Sequence, residues 1–148
     1  MIKKIQTIGN LIALVNSSNT ARGASMKEDN FRGLTRSMHL CVGSWVVFMI
    51  NLLNLGLANG STGVVKDIVY DSQTSAPGLP KYIWVDFREQ CTGETFFPEN
   101  DERRGWFPVH PVSQKNWTAD KRKENGCSEH TRSMIPLKCS WGWTIWKC

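Results

Sequence analysis

Three groups of residues in this chain have types and spacing that could do chemistry. Toward the end, an apolar run of Ile135, Leu137 and Cys139 meets Trp141 and Trp143, after which Thr144 and Lys147 stand three apart, one helical turn. That order reads as a strand delivering a hydroxyl and an ammonium to a helix start, where backbone N–H groups, a hydroxyl and a cation can together hold a phosphate. Taken alone, a Thr and a Lys there are ordinary solvated surface. The second group is Lys121, Arg122 and Lys123, inside a polar, basic stretch from Ser113 to Arg132 that also carries Lys115, Asp120, Glu124 and Glu129. A polyanion would find charge there, and a solvated loop is the plainer reading. The third group is Cys127 and His130, with Cys139 and Cys148 following. No C-x-x-C pair accompanies them and the spacing matches no common zinc ribbon or finger, so buried or bystander thiols are the better account and no metal is expected. Trp141 and Trp143 could stack on bases, although packing is the commoner use of the ring.

The elements that must position these groups follow from composition and periodicity. With 148 residues, 41% of them hydrophobic, the chain can bury a core of its own. Its 18 Lys and Arg against 13 Asp and Glu favour polyanions over acidic proteins as partners, by a modest margin. Five widely spaced cysteines lack the dense, even pattern of a small secreted scaffold, which points to a reduced, intracellular setting.

Ile5, Ile8, Ile12 and Val15 recur at helical spacing and predict an amphipathic core helix, not an export signal. Residues 17–35 read as a long surface loop. Leu40 to Leu52 reads as one buried strand, and its contiguous apolar run from Val46 to Ile50 predicts cover on both faces in a parallel sheet. The uncharged segment from Leu40 to Ala58 is long enough to span a bilayer, but Gly43, Asn51, Asn54 and Gly56 divide it, so no membrane span is expected. Asn59-Gly60 opens a turn and Gly63 suits a close backbone approach. Beyond it, Val64 to Asp71 reads as a strand with Val64, Ile68 and Tyr70 on one side. In the next strand Ile83, Val85 and Phe87 face opposite to Tyr82, Trp84, Asp86 and Arg88. A short strand is possible around Thr95 to Phe97, and Pro108 and Pro111 confine Trp106 to Val112 to a sheet edge. Short strands between turn signals suggest a small β-barrel.

The string GLTRSMHLCVGSWVVFMINLLNLGLANGSTGVVKDIVYD, from Gly33 to Asp71, resembles a stretch of the Pif-type (petite integration frequency), RecD-like superfamily-1 DNA helicases. Leu55, Gly56, Leu57, Asn59, Gly60, Gly63 and Val65 fit the family pattern G-L-x-N-G-x-x-G-x-V at the entry to a small barrel. WVDFREQCTG is similar to the following barrel strand, WFPVHPV to the next, and IPLKCSWGWTIWKC to the return motif P-L-x-L-A-W-A-x-T-I-H-K-S-Q-G. The opening GNLIALVNSSNT is similar as well, so the resemblance runs collinearly over nearly the whole chain.

The resemblance implies an α/β fold with a mainly β insertion, a partial RecA-like motor domain carrying a small SH3-like β-barrel. Its divisions would be residues 1–59 of the second RecA-like domain, 60–114 the barrel, 115–132 a basic polar loop, and 133–148 the return strand with a truncated motif. It implies ATP-dependent 5′→3′ DNA unwinding in repair, recombination and telomere maintenance, in the nucleus or mitochondrion. It also implies single-stranded DNA, held by Thr144 and Lys147 with help from Lys121, Arg122 and Lys123, and the rest of the motor as partners.

Departures from the pattern limit what this chain is expected to do. Trp146 replaces the family's His, Ile50 stands where a basic residue often precedes Asn51 and Leu52, and Ser140 and Gly142 flank Trp141. The chain stops before the motif's Gln-Gly. It has no Gly-Lys dipeptide for a phosphate-binding loop, and Asp101-Glu102 lacks the preceding buried strand of a Mg-binding acidic pair. The expectation is therefore a fragment with no catalytic residue and no cofactor of its own, ATP and Mg belonging to the complete family protein. It would bind single strands weakly at most. A catalytically dead remnant or protein-interaction module is the alternative.

Overall fold

The structure, a computed structural model, describes residues 12–20, 22–93 and 95–140. Among the described residues ten strands follow one another: β1 (Ile12–Asn16), β2 (Ser18–Asn19), β3 (Ser37–Cys41), β4 (Trp45–Phe48), β5 (Thr62–Val69), β6 (Tyr82–Asp86), β7 (Trp106–Val109), β8 (Val112–Ala119), β9 (Cys127–Met134) and β10 (Leu137–Cys139). They form a five-stranded sheet in the order β10-β4-β5-β6-β7, a three-stranded sheet in the order β2-β9-β8, and the pair β1-β3. Every pairing is antiparallel. Among the described residues, helix is limited to short 3-10 segments such as Glu28–Phe31 and Leu53–Leu55.

Two expectations about fold class are corrected here. The amphipathic helix gives way to β1 over Ile12–Asn16, because pairing with β3 satisfies its backbone groups and only Val15 is fully buried. Met1 to Leu11 lie outside the described residues. The parallel, doubly covered strand is likewise not found. A turn closed by the Ser44 N–H donating to the Cys41 carbonyl, with Gly43 at φ 95°, ends one strand and starts another. Within β4, Val46 and Phe48 are buried while Trp45 and Val47 are half-buried, so a run of contiguous apolar residues nevertheless has one core face. No helix among the described residues is long and apolar enough to cross a membrane.

The five-stranded sheet stays open, with β10 and β7 as its edges, and does not close into a barrel. Its alternation in β6 is as read from the sequence: Ile83 and Val85 are buried, and Tyr82, Trp84 and Asp86 turn outward. β7 is an edge strand, where Pro108 costs no ladder hydrogen bond. In β5 a bulge between Val65 and Asp67 shifts the register, so Val65 and Ile68 face the core together while Lys66 is left over. Thr95 to Phe97 forms no strand. Val46, Phe48, Val65, Ile83, Val85, Phe87 and Leu137 belong to one core with Val15, Leu40, Phe31, Leu34 and Met134.

The family-like segment Gly56–Val65 proves to be a packing device. Gly56 sits at φ 73°, and a Cβ there would lie 2.8 Å from the Gln90 carbonyl oxygen. Leu57 and Val65 are fully buried. Ala58 to Ser61 makes a turn, the Ser61 N–H donating to the Ala58 carbonyl at 2.9 Å, with Gly60 at φ 102°. Only Gly is comfortable in that third position. Asn59 donates its backbone N–H to the Asn51 side chain at 2.8 Å.

Residues 115–132, expected as a polar loop, are the greater part of a hairpin. β8 and β9 pair without interruption from Val112↔Met134 to Ala119↔Cys127. Its buried face is polar where it meets residues 17–35, and that is why hydrophobic alternation did not reveal it. Arg132, fully buried, donates from Nε to the Asn19 side chain at 2.9 Å and from Nη1 to the Leu34 carbonyl at 2.9 Å. Its Nη2 donates to the carbonyls of Gly23 at 2.8 Å and Met26 at 2.9 Å, and the guanidinium lies 4.6 Å from the Phe31 ring centre. Burial pulls its pKa below the ordinary arginine value, with Arg36 nearby adding to the shift. His130, also buried, accepts the Arg22 N–H at Nδ1 and bonds Thr118 Oγ1 through Nε2 at 2.8 Å. The first bond assigns the proton to Nε2. The long loop is thus tied down along its length by two side chains of β9.

Candidate nucleic-acid interface

Lys121, Arg122 and Lys123 are brought together at the end of the β8–β9 hairpin, in a turn from Asp120 to Gly126. The Asp120 N–H donates to the Gly126 carbonyl at 2.8 Å, the Gly126 N–H to the Lys123 carbonyl at 2.9 Å, and Gly126 takes φ 70°. Asp120 organises the turn. It accepts from the Arg122 N–H and Nε at 3.1 Å each, and from the Ser128 hydroxyl at 2.7 Å. The Arg122 side chain, then Ser128, hold the Asp120 carboxyl at about 2, below its ordinary 3.8. Arg122 is thereby occupied in part by its own turn. Lys121 and Lys123 are exposed and form no ion pair among the described residues.

This arrangement makes a pH prediction. Because the folded-state pKa of Asp120 is depressed, its contribution to the turn is fully present above the ordinary carboxylate range and is lost as pH falls through about 2. Carboxyl-carbon NMR should give a midpoint near 2 for Asp120 in the intact chain. Arg122→Ala should move it up toward the ordinary value; an unmoved midpoint would show that the guanidinium is not the cause.

Farther along the hairpin, Lys115 pairs with Glu129 at 3.1 Å, an exposed contact worth little in water. Trp117, which the sequence reading did not single out, is 56% exposed on the same outward face. Its signal was present as an odd-numbered position in a strand whose even-numbered neighbours pack inward, but the strand itself was not recognised. Thr144 and Lys147, with Trp141, Trp143 and Trp146, lie outside the described residues. Asn59, Gly60 and Gly63 serve the turn and packing already described.

Two other surface features are an aromatic cluster and a charged cleft. On the outer face of the large sheet, Trp84 meets Tyr82 at 5.7 Å, Phe97 at 5.5 Å and Phe96 at 5.9 Å between ring centres, and Phe97 also meets Trp106 at 6.1 Å. Most of these rings are edge-on to one another, which packs the 95–97 segment against β6, with Phe96 itself still largely exposed. Arg103 covers Phe97 at 4.3 Å. Beside that cluster is a cleft of about 540 Å³ walled by Asp86, Arg88, Cys91, Glu102 and Arg104. Two carboxylates and two guanidiniums balance there, so it has no preference for a polyanion.

Cys91, Cys127 and Cys139 are free thiols, and burial pushes the Cys91 and Cys139 thiols up. No group of three or more His, Cys, Asp or Glu suited to a metal occurs among the described residues. His130 has both ring nitrogens engaged. The sequence has no Gly-Lys dipeptide of the kind a phosphate-binding loop uses.

No protein-family model matches the sequence, and no curated protein does. Solved structures do match. Pif1 helicase from Candida albicans superimposes with a TM-score of 0.57 at 25% identity, over 98% of this chain and 32% of that one. A Bacteroides Pif1 double mutant matches with a TM-score of 0.53 at 17% identity, over 99% of this chain and 28% of that one. Bacteroides Pif1 bound to single-stranded DNA gives 0.52 at 14% identity, over 95% and 28%. The chain is Pif1-like in fold and spans about a third or less of the length of these helicases.

Proposed function

We propose that this chain is a piece of a Pif-type, RecD-like ATP-dependent DNA helicase, and that it contacts single-stranded DNA through its hairpin. In this reading β5, β6 and β7 correspond to the SH3-like insertion at residues 60–114, and the flanking segments, β4 and β10 included, belong to the second RecA-like domain. The observation that carries it is the collinear match of 98% of the chain to a Pif1 helicase, with Gly56, Leu57, Gly60, Gly63 and Val65 all placed where the family-like pattern has a structural use. A related Bacteroides Pif1 has been solved with single-stranded DNA, and another with ADP-AlF4. ATP and Mg would therefore be held by the remainder of the motor. The 5′→3′ direction, the service in repair, recombination and telomere maintenance, and a nuclear or mitochondrial location are proposed from the resemblance alone.

This chain's own part would be electrostatic guidance. Lys121 and Lys123 offer phosphate contacts at a projecting tip, and Thr144 and Lys147 are proposed as further contacts. Fluorescence anisotropy of a labelled oligothymidylate with the intact chain tests this. Weak binding is expected at low salt, with log K falling against log salt by about 0.7 for each phosphate neutralised. Undetectable binding at low salt, or binding indifferent to salt, would overturn it in favour of a remnant or protein-interaction module.

A further inference from the structure

The outward face of the β8–β9 hairpin carries one large ring and almost nothing else apolar. Along β8 the exposed positions are Ser113, Lys115, Trp117 and Ala119, and the residues directly across on β9 are Ser133, Thr131, Glu129 and Cys127. Trp117 makes no ring–ring or cation–ring contact among the described residues, whereas Trp45, Trp84 and Trp106 all do. β8 is the edge of its sheet, so one side of the indole has no neighbouring strand in that sheet. Toward the tip the ring is followed by Ala119 and Cys127, which are small enough to leave a lane open. Beyond them stand Lys121 and Lys123. Of the nearby carboxylates, Asp120 is bound to Arg122 and Glu129 to Lys115, leaving Glu124 as the one without an ion pair among the described residues.

We infer that Trp117 is a base-stacking platform for single-stranded nucleic acid, with Lys121 and Lys123 holding the backbone that passes over the hairpin tip. The inference rests on the single-strand-binding reading above and names the residue that would engage the bases. A protein partner is disfavoured by the surroundings: a protein interface needs a contiguous apolar patch, and here Glu129 stands directly across from the indole, paired with Lys115, with threonine and serine beyond. A base needs only a free π-face, and its phosphates need cations a short distance away. Trp117 lies two residues before the end of β8 and Lys121 stands four positions along the chain inside the turn, so the two are at most about 13 Å apart, a span comparable to a few phosphate intervals of a stretched strand.

The test uses two labelled oligonucleotides of equal length with the intact chain, an oligothymidylate and an abasic strand that retains every phosphate. The wild type should bind the oligothymidylate about tenfold more tightly, the ratio one stacked base supplies. Trp117→Ala should narrow that ratio to within about twofold, while Trp117→Phe, which keeps a π-face, should preserve most of it. Lys121→Ala with Lys123→Ala should weaken both oligonucleotides alike and flatten the salt dependence. If Trp117→Ala still discriminates as the wild type does, or the wild type binds both strands equally, the platform is wrong while the electrostatic reading survives. If the wild type binds neither, the single-strand-binding reading and the platform fail together.

Discussion

Arg132→Ala is expected to cost about 3 kcal/mol of folding stability, since each buried acceptor left without its donor costs about 1–3 kcal/mol. The guanidinium is fully buried and supplies donors to Asn19, Gly23, Met26 and Leu34, so alanine removes buried bonds to the Gly23 and Leu34 carbonyls and part-buried ones to Asn19 and Met26. It also leaves a void beside Phe31. The consequences should be local as well as global, because residues 22–34, beyond the pairing of β2 and Thr20 with β9, are held to the fold by Arg132, the His130 contact and the packing of Met26, Phe31 and Leu34. Hydrogen exchange at the amides of residues 22–34 should accelerate, and the urea midpoint should fall. Arg132→Met separates packing from hydrogen bonding: it fills the stem's volume yet restores no donor, so most of the loss should remain. A change below about 1 kcal/mol, with exchange of the loop unaltered, would show that the network is dispensable.

Gly63→Val is expected to be comparably damaging, at about 3 kcal/mol. A Cβ at this position would stand 2.5 Å from Val85 Cγ1, 2.9 Å from the Asp86 carbonyl oxygen and 3.0 Å from Phe87 Cδ1. The Val85 methyl can rotate away, but the carbonyl belongs to the neighbouring strand and the Phe87 ring is wedged edge-on against Phe48 at 5.4 Å. Relief therefore requires β5 and β6 to separate. Glycine's φ is unexceptional here, so close approach alone explains the residue. Gly63→Ala should show a smaller loss in the same direction, read by chemical denaturation. A neutral alanine variant would mean that the strands part more easily than their packing suggests.

The sequence by itself determined more of this protein's β architecture than of its candidate site. The β6 alternation, the Gly60 turn, the tight place at Gly63 and the edge position of the Pro108 strand all follow from local chemistry: period-two burial, positive φ, a missing side chain and a missing N–H. The Pif-like pattern was legible for the same reason, since its residues are mostly the ones that turns and close packing demand. Where reading failed, the deciding interactions were distant in sequence. Ile12 and Val15 fit a helix until β3 offers an antiparallel partner, and the apolar run from Val46 to Ile50 looks doubly covered until pairing with β5 and β10 gives it one core face.

The hairpin shows the division most clearly. Sequence alone established that Lys121, Arg122 and Lys123 are adjacent and that the stretch around them is polar. Only the tertiary structure decided that His130 and Arg132 turn inward onto residues 17–35, because burial of a charged group depends on carbonyl partners roughly a hundred positions away. Once those side chains face inward, strand alternation turns Trp117 and Lys115 outward, and the turn places Lys121 and Lys123 at the projecting end. A polar core face is invisible to hydrophobic periodicity, and so the surface it creates on the opposite side was invisible too.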